Sequence, residues 1–240
     1  LSLRRQRQMC IRDSFYFNEN TQSVQPSGER FVVTTESGLS LETDYVLDAT
    51  GRKPNVQDIG LEKVGIKFSG RGIVVDEHLR TNVKNIFASG DVLDKSIPKL
   101  TPTATFEFNY IAAYILGLNQ QPIQYPAIPS VLYSLPRLSQ IGVTVSEAQN
   151  NDDYTVKDIP FDQQMVFEYQ NETEAEMSIV LDSNKRLVGA EIYGNEANDL
   201  VNLLVFIINN KMTVQELSQN IFAFLGASSG VIDLLKIAMM

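Results

Sequence analysis

Residues 81–91 read TNVKNIFASGD, the most informative stretch of the chain. Asn85 to Asp91 is typical of a short apolar strand that ends in a glycine and an acid. A carboxylate at the end of a strand, beside a glycine, is well placed to accept hydrogen bonds from ligand hydroxyl groups. Taken alone, such a pair is also a common loop cap. The favoured interpretation is that Gly90 and Asp91 contact a ligand.

A helix is predicted shortly after this stretch. It opens with Leu100-Thr101-Pro102-Thr103-Ala104, and Gly117 is a typical stop. We therefore predict a helix from Pro102 to Gly117, whose free N–H groups and partial positive charge would face an electron-rich group. The predicted apolar face consists of residues that recur three and four positions apart, namely Ala104, Phe108, Ile111, Ala112, Ile115 and Leu116.

A third motif lies upstream and reads ATGRKPN over residues 49–55. It follows Asp44 to Ala49, which has the pattern of a buried strand. A turn of small residues lets the backbone approach a ligand closely. ATGRKPN alone would be an ordinary turn, so the indication comes from the order and spacing of all three motifs.

Together the three motifs resemble the C-terminal part of the pyridine nucleotide–disulfide oxidoreductases, the glutathione reductase-like flavoproteins. The resemblance covers residues 15–240. It implies an α/β plus α+β fold, in which a partial Rossmann-like FAD/NAD(P)-binding segment precedes an α+β dimerisation domain. It also implies FAD as cofactor and NAD(P)H as cosubstrate of the full-length enzyme.

The resemblance assigns cofactor contacts residue by residue. Asp91 matches the acid that binds the ribityl chain of FAD, and the helix from Thr101 points its N-terminus at the pyrimidine edge of the flavin. The implied cofactor-binding residues are Thr50, Gly51, Arg52, Gly90, Asp91, Leu100, Thr101, Pro102 and Ala104.

The chain is predicted to contain the end of the NAD(P)-binding domain at residues 15–48 and the C-terminal segment of the FAD-binding domain at 49–122. A dimerisation domain is predicted at 123–240, through which a homodimer forms. In this last domain we predict a hairpin over Asp182 to Lys185 and helices at about 196–209, 214–219 and 228–238. Capping boxes mark helix starts at Thr144 and Thr213.

Residues 1–14 read LSLRRQRQMCIRDS and lack any strand or helix period. They could be a basic arm that binds an anionic partner. The favoured interpretation is an unrelated or artefactual N-terminus, because the stretch resembles translated sequencing-adaptor DNA. Cys10 would then carry no function, and the natural protein would extend further upstream.

Composition limits the possible partners. The chain has 240 residues, of which 43% are hydrophobic, and a formal net charge of −9. An acidic chain without a basic cluster beyond its start argues against nucleic acid or an anionic membrane as partner. The longest apolar run, residues 203–208, is too short to span a bilayer, and no secretory signal is evident, so we expect a cytoplasmic protein. One cysteine excludes an intrachain disulfide, and one histidine, His78, excludes a multi-histidine metal site.

The sequence departs from the family in two respects. The glycine fingerprints that bind FAD and NAD(P)H are missing, so the chain resembles a little under the last half of an enzyme. Phe224 falls at the position of the family's catalytic histidine and Ser229 near that of its glutamate. Phenylalanine cannot transfer a proton, so no catalytic residue is predicted. Glu107 is expected to be solvated or ion-paired, and His78 to lie at the surface.

The leading functional prediction is a fragment of an FAD-dependent oxidoreductase that passes hydride from NAD(P)H through flavin to a disulfide or another small-molecule acceptor. One alternative is a relative of the NADH oxidases and peroxidases, which suits Phe224. Another is a non-catalytic dimerising fragment. We expect the isolated chain to bind FAD weakly or not at all and to tend to aggregate.

Overall fold

The computed structural model describes residues 14–162 and 164–240, and this part of the chain divides into two compact units between Lys53 and Pro54. The predictions for Cys10 and the arginine-rich start lie outside the described residues. None of the helices in the described part of the chain is long and apolar enough to cross a membrane.

The first unit is a three-stranded antiparallel sheet with the order β1-β2-β3. Its strands are β1 (Thr21–Ser27), β2 (Arg30–Thr35) and β3 (Ser40–Thr43). Val33 of β2 pairs with Val24 on one side and with Leu41 on the other. β2 is therefore the central strand of this sheet.

The buried strand predicted at Asp44 to Ala49 is wrong. β3 ends at Thr43, and Tyr45 and Leu47 are 89% and 90% exposed. A strand forms only where a neighbouring strand completes its hydrogen bonds. No strand among the described residues pairs with this segment.

The second unit begins with a loop-rich region over a small core of Val56, Leu61, Ile66 and Ile73. It holds the two-residue strands β4 (Phe68–Ser69) and β5 (Gly72–Ile73), and 3-10 turns at Glu62–Val64 and Gly90–Val92. The strand predicted at Asn85 to Asp91 is wrong, because only an isolated bridge joins Phe87 to Arg80. Helix α1 (Thr101–Ile115) confirms the predicted helix within two residues.

A five-stranded antiparallel sheet with the order β6-β7-β10-β9-β8 organises the rest of this unit. Its strands are β6 (Ser130–Leu132), β7 (Arg137–Gly142), β8 (Thr155–Pro160), β9 (Glu176–Leu181) and β10 (Leu187–Gly194). The helices are α2 (Val145–Ala148), α3 (Met165–Tyr169), α4 (Ala197–Asn209), α5 (Val214–Ser218) and α6 (Ala227–Met239).

The main core consists of apolar residues of the five-stranded sheet, α4 and α6, which pack in one cluster. Leu204 of α4, Ile192 of β10 and Leu235 of α6 belong to one buried cluster and have no solvent exposure. The hairpin from β9 to β10 is confirmed, and so are both capping boxes, at Thr144 and Thr213. The sequence pattern does not predict the short helix α3.

Candidate functional site

The Gly90–Asp91 turn lies against the first turn of α1. Gly90 has a φ of 75°, in the left-handed region that favours glycine. A Cβ atom at this position would lie 3.2 Å from the Cβ of Ala104, which is tighter than ordinary van der Waals contact. The turn therefore needs glycine for both its conformation and its packing.

A buried carboxylate holds the turn in place. The side chain of Glu107, on α1, has only 2% exposure. Its Oε2 accepts a hydrogen bond from the Gly90 N–H at 2.5 Å, and its Oε1 accepts one from the Tyr125 hydroxyl at 2.6 Å. The expectation that Glu107 is solvated or ion-paired is wrong, because two neutral donors satisfy it away from water.

The apolar face predicted for α1 differs from the face that the structure buries, which contains Glu107. Phe108, Ile115 and Leu116 are exposed, whereas the buried residues of the helix are Thr103, Glu107 and Tyr110. These three recur at intervals of four and three, so the helical period was a usable signal. Hydrophobicity alone selected the wrong face, because the buried face is polar.

Burial and the charge of Glu107 shift the pKa values of two neighbouring side chains, Lys95 and Tyr125. The Lys95 ammonium lies 5.5 Å from the centre of the Tyr125 ring. Burial lowers the pKa of Lys95, while the charge of Glu107 opposes this effect. Burial, and then the hydrogen bond to Glu107, raise the pKa of Tyr125 well above its ordinary value. Tyr125 therefore stays a hydrogen-bond donor at neutral pH.

Thr103 completes the polar interior of this region. Its buried hydroxyl has no hydrogen-bond partner among the residues that the structure describes. It lines a cavity of about 10 Å³ together with Gly90, Lys95, Leu100 and Glu107. That volume is close to the space that one water molecule requires.

The N-terminus of α1 presents uncapped backbone to its surroundings. Its N-cap residue is Leu100, which makes no side-chain cap, and Pro102 occupies the first turn. Thr101 and Pro102 are exposed, and Ala104 is half-buried. An uncapped helix start offers N–H groups and partial positive charge to a ligand. The structure thus brings Gly90, Leu100 and Ala104 together around one turn of helix.

Thr50, Gly51 and Arg52 lie in the first unit, whereas the other predicted cofactor residues lie in the second. All three are exposed, and Gly51 has a φ of 121°. The backbone N–H and the hydroxyl of Thr50 both donate to Asp48 Oδ1, at 3.0 and 2.7 Å. These two hydrogen bonds lower the pKa of Asp48.

Phe224 and Ser229 form no acid–base pair. The Phe224 side chain is 84% exposed, and the Ser229 hydroxyl donates to the carbonyl oxygen of Gly226 at 2.8 Å. Gly226 is the N-cap of α6, which begins one residue before the predicted start at about 228. Neither residue supplies a group that could transfer a proton at neutral pH.

His78, expected at the surface, is half-buried, and 16% of its side chain is exposed. Its ring stacks on that of Tyr114 with a centroid distance of 4.6 Å, and its Nδ1 lies 2.7 Å from the Tyr110 hydroxyl. Tyr110 donates to the carbonyl oxygen of Gln121 at 2.6 Å. Because the tyrosine has one proton, its oxygen accepts from His78, which places a proton on Nδ1.

Comparison with known proteins identifies the family. A sequence model described as "Pyridine nucleotide-disulphide oxidoreductase" matches residues 13–107, and one for the dimerisation domain of the same proteins matches residues 128–231.

Three relatives illustrate how much of the family this chain covers. It is 36% identical over 187 residues to the dihydrolipoyl dehydrogenase of Bacillus subtilis, which covers 77% of this chain and 39% of the relative. It is 31% identical over 219 residues to the mercuric reductase of Acidithiobacillus ferrooxidans, covering 89% of this chain and 39% of the relative. An uncharacterised 19.7 kDa protein of a mercuric resistance operon in Staphylococcus aureus is 30% identical over 180 residues, covering 74% of this chain and 100% of that protein.

Solved structures share the fold. LpdA from Mycobacterium tuberculosis superposes with a TM-score of 0.81 at 22% identity, covering 92% of this chain and 48% of that one. The HOCl-induced flavoprotein disulfide reductase RclA from Escherichia coli gives a TM-score of 0.80 at 22% identity, covering 92% and 51%. The chain thus spans about two fifths to one half of the longer proteins it matches. Its motifs, its two matched segments and its fold agree, and the chain belongs to the pyridine nucleotide-disulphide oxidoreductase family.

Proposed function

We propose that this chain supplies a flavin-contacting segment and the dimerisation domain of an FAD-dependent oxidoreductase. The enzyme would pass hydride from NAD(P)H through flavin to a disulfide or similar acceptor. Members of the family use FAD and NAD(P)H. The observation that carries the proposal is the Gly90–Asp91 turn, which Glu107 fixes beside the uncapped start of α1.

The residues of this site suit a flavin. Asp91 is an exposed carboxylate and would accept hydrogen bonds from ribityl hydroxyls. The N–H groups in the first turn of α1 would face the pyrimidine edge, where their partial positive charge stabilises developing negative charge. Bound flavin would supply the hydride chemistry. Thr50, Gly51 and Arg52 remain proposed contacts from the first unit.

The residue that bears on the electron acceptor is Phe224. Phe224 stands where the resemblance places a proton-transferring histidine, and its exposed ring cannot exchange a proton. This observation favours the alternative of an oxidase- or peroxidase-like relative, in which that residue has no proton to deliver to a dithiol.

Nuclear magnetic resonance of the 15N-labelled chain tests the flavin site, because this method detects weak binding. With FAD added, we expect saturable shifts concentrated at residues 89–92 and at the amides of Thr101, Thr103 and Ala104, since Pro102 has no N–H. Asp91→Ala should weaken the affinity by about 10-fold or more, since hydrogen bonds to a charged group contribute about 1.5–3 kcal/mol.

Asp152→Ala is the matched control, because Asp152 is an exposed acid distant in sequence from the turn. Shifts scattered over the chain, or an affinity that Asp91→Ala leaves unchanged, would contradict the proposed site. FAD that copurifies tightly with the chain would contradict our expectation of weak affinity.

A further inference from the structure

The hydrogen bonds of Glu107 link two parts of the second unit. One carboxylate oxygen binds the Gly90 N–H in the turn, and the other binds the Tyr125 hydroxyl, which lies just before the five-stranded sheet. No role in contacting a flavin falls to Glu107, because its side chain is buried and both of its oxygens are engaged.

The segment that carries Tyr125 is itself tied to the sheet domain. Two residues further on, the Ala127 N–H donates to Oδ1 of Asn209 at 2.8 Å, and Asn209 is the last residue of α4. The ring of Phe106, on α1, lies 5.9 Å from that of Tyr125. The short segment from Tyr125 to Ala127 is therefore held at one end by Glu107, which binds the turn, and at the other end by α4.

The charge of Glu107 makes both of its contacts strong. Hydrogen bonds to a carboxylate in a dry interior are shorter and stronger than neutral ones. Removing one donor from a buried carboxylate leaves an acceptor unsatisfied, and the carboxylate then relaxes toward other donors. The position of Glu107, and with it the turn, consequently depends on Tyr125.

We propose that Glu107 is a positioning residue that fixes the Gly90–Asp91 turn, and that Tyr125 in turn fixes Glu107. The position of the dimerisation domain therefore determines the position of the turn. The functional meaning of this link rests on the proposed function, in which Asp91 contacts flavin. The link itself is a property of the protein without cofactor. Through this link, structural changes in the dimerisation domain alter the position of the Gly90–Asp91 turn.

Selective 15N-glycine labelling tests the link, because the chain has 14 glycines and the Gly90 amide donates to a charged acceptor. Glu107→Gln should move the Gly90 proton resonance upfield, since a neutral amide oxygen is a weaker acceptor. Tyr125→Phe should also move this resonance, by a smaller amount. Tyr169→Phe, at an exposed tyrosine of α3, is the control and should leave it unchanged.

The double variant Glu107→Gln/Tyr125→Phe decides whether the effect passes through Glu107. We expect Tyr125→Phe to move the Gly90 resonance much less in the Glu107→Gln background than in the native chain. Equal effects in both backgrounds, or no effect of Tyr125→Phe alone, would overturn the inference. Tyr125→Phe removes a single oxygen and keeps the ring, so the test stands even where Glu107→Gln does not fold.

A second measurement reports the contact directly. The Tyr125 hydroxyl proton, which is hydrogen-bonded to a carboxylate, should give a downfield resonance that Glu107→Gln moves upfield and that Tyr125→Phe removes. Neither measurement uses FAD, so failure of flavin binding would refute the proposed function and leave this inference intact. A hydroxyl resonance of Tyr125 that Glu107→Gln leaves unaltered would refute the inference alone.

Discussion

Individual acids in this chain are stabilised by the donors that surround them. Asp182, in the turn between β9 and β10, accepts hydrogen bonds from the backbone N–H groups of Asn184 and Arg186 and pairs with the Arg186 guanidinium at 2.7 Å. Burial opposes its charge, but these contacts prevail and lower the pKa of Asp182 below its ordinary value of 3.8. The ionised form is thus favoured by folding.

The pH dependence of this turn follows from the sign of that shift. Because the folded pKa is depressed, the contribution of Asp182 to stability is present above about pH 4 and is lost as the pH falls through the folded pKa. Asp182→Asn should lower the free energy of unfolding at pH 7 by about 1–2 kcal/mol and by less at about pH 3. Urea unfolding at both pH values measures the difference. Asp152→Asn, at an exposed acid outside the turn, should differ little from the native chain at either pH.

The sequence does not predict the burial and the hydrogen-bond partners of two side chains. Glu107 and His78 are polar, and polar residues are usually exposed. Glu107 is buried and His78 is half-buried, and partners distant in sequence satisfy them, Tyr125 for Glu107 and Tyr110 for His78. Only the three-dimensional arrangement shows that these partners are within reach.

Among the elements, β7 and β10 approach each other unusually closely at one point. Gly142 and Gly189 lie directly opposite one another in the register. A Cβ atom at Gly189 would overlap the carbonyl oxygen of Val143, and one at Gly142 would overlap that of Val188. The backbone around Val143 and Val188, which also share a hydrogen bond of 3.0 Å, leaves no room for side chains here.

Gly189→Ala should destabilise the protein by about 1–3 kcal/mol, because the backbone of Val143, just after β7, must move to admit the methyl group. Thermal unfolding followed by circular dichroism measures this loss. Gly70→Ala is the matched control, since a Cβ atom at Gly70 would meet no atom within 4 Å. A melting temperature equally affected by both replacements would contradict the steric explanation.

Elements with local signals were predictable from the sequence, and those that depend on distant partners were not. The capping boxes at Thr144 and Thr213 and the hairpin at Asp182 are encoded within a few residues, and all three are confirmed. Residues 44–49 have the composition of a buried strand but no pairing strand among the described residues. Strand formation is a property of the sheet, so composition alone misleads there. For the candidate site, the sequence indicated the turn and the helix start but missed the carboxylate that joins them.

At the scale of the whole molecule, the dimerisation domain carries exposed apolar side chains. Ile221, Phe224 and Leu225 project from the segment between α5 and α6. Large exposed apolar side chains of this kind mark interaction surfaces. The match of residues 128–231 to a dimerisation domain supports a homodimer through residues 123–240.

Light scattering during gel filtration should therefore give a mass about twice the 26.8 kDa of one chain. Ile221→Asp should shift the mass toward that of a single chain, because a buried unpaired carboxylate opposes association. Leu118→Asp serves as the control, since Leu118 is also exposed but lies outside residues 123–240. A native chain that elutes as a monomer, or an unaltered mass for Ile221→Asp, would contradict dimerisation through this surface.

The exposed segment Tyr45-Val46-Leu47 has a practical consequence for handling the protein. Its apolar side chains are exposed and no strand among the described residues pairs with it, so it can add to the sheet of another molecule, as extended peptides do. Such association grows with concentration, so dilute storage and brief concentration steps preserve material that would otherwise precipitate. Arginine or a mild detergent in the buffer would shield the same segment during purification.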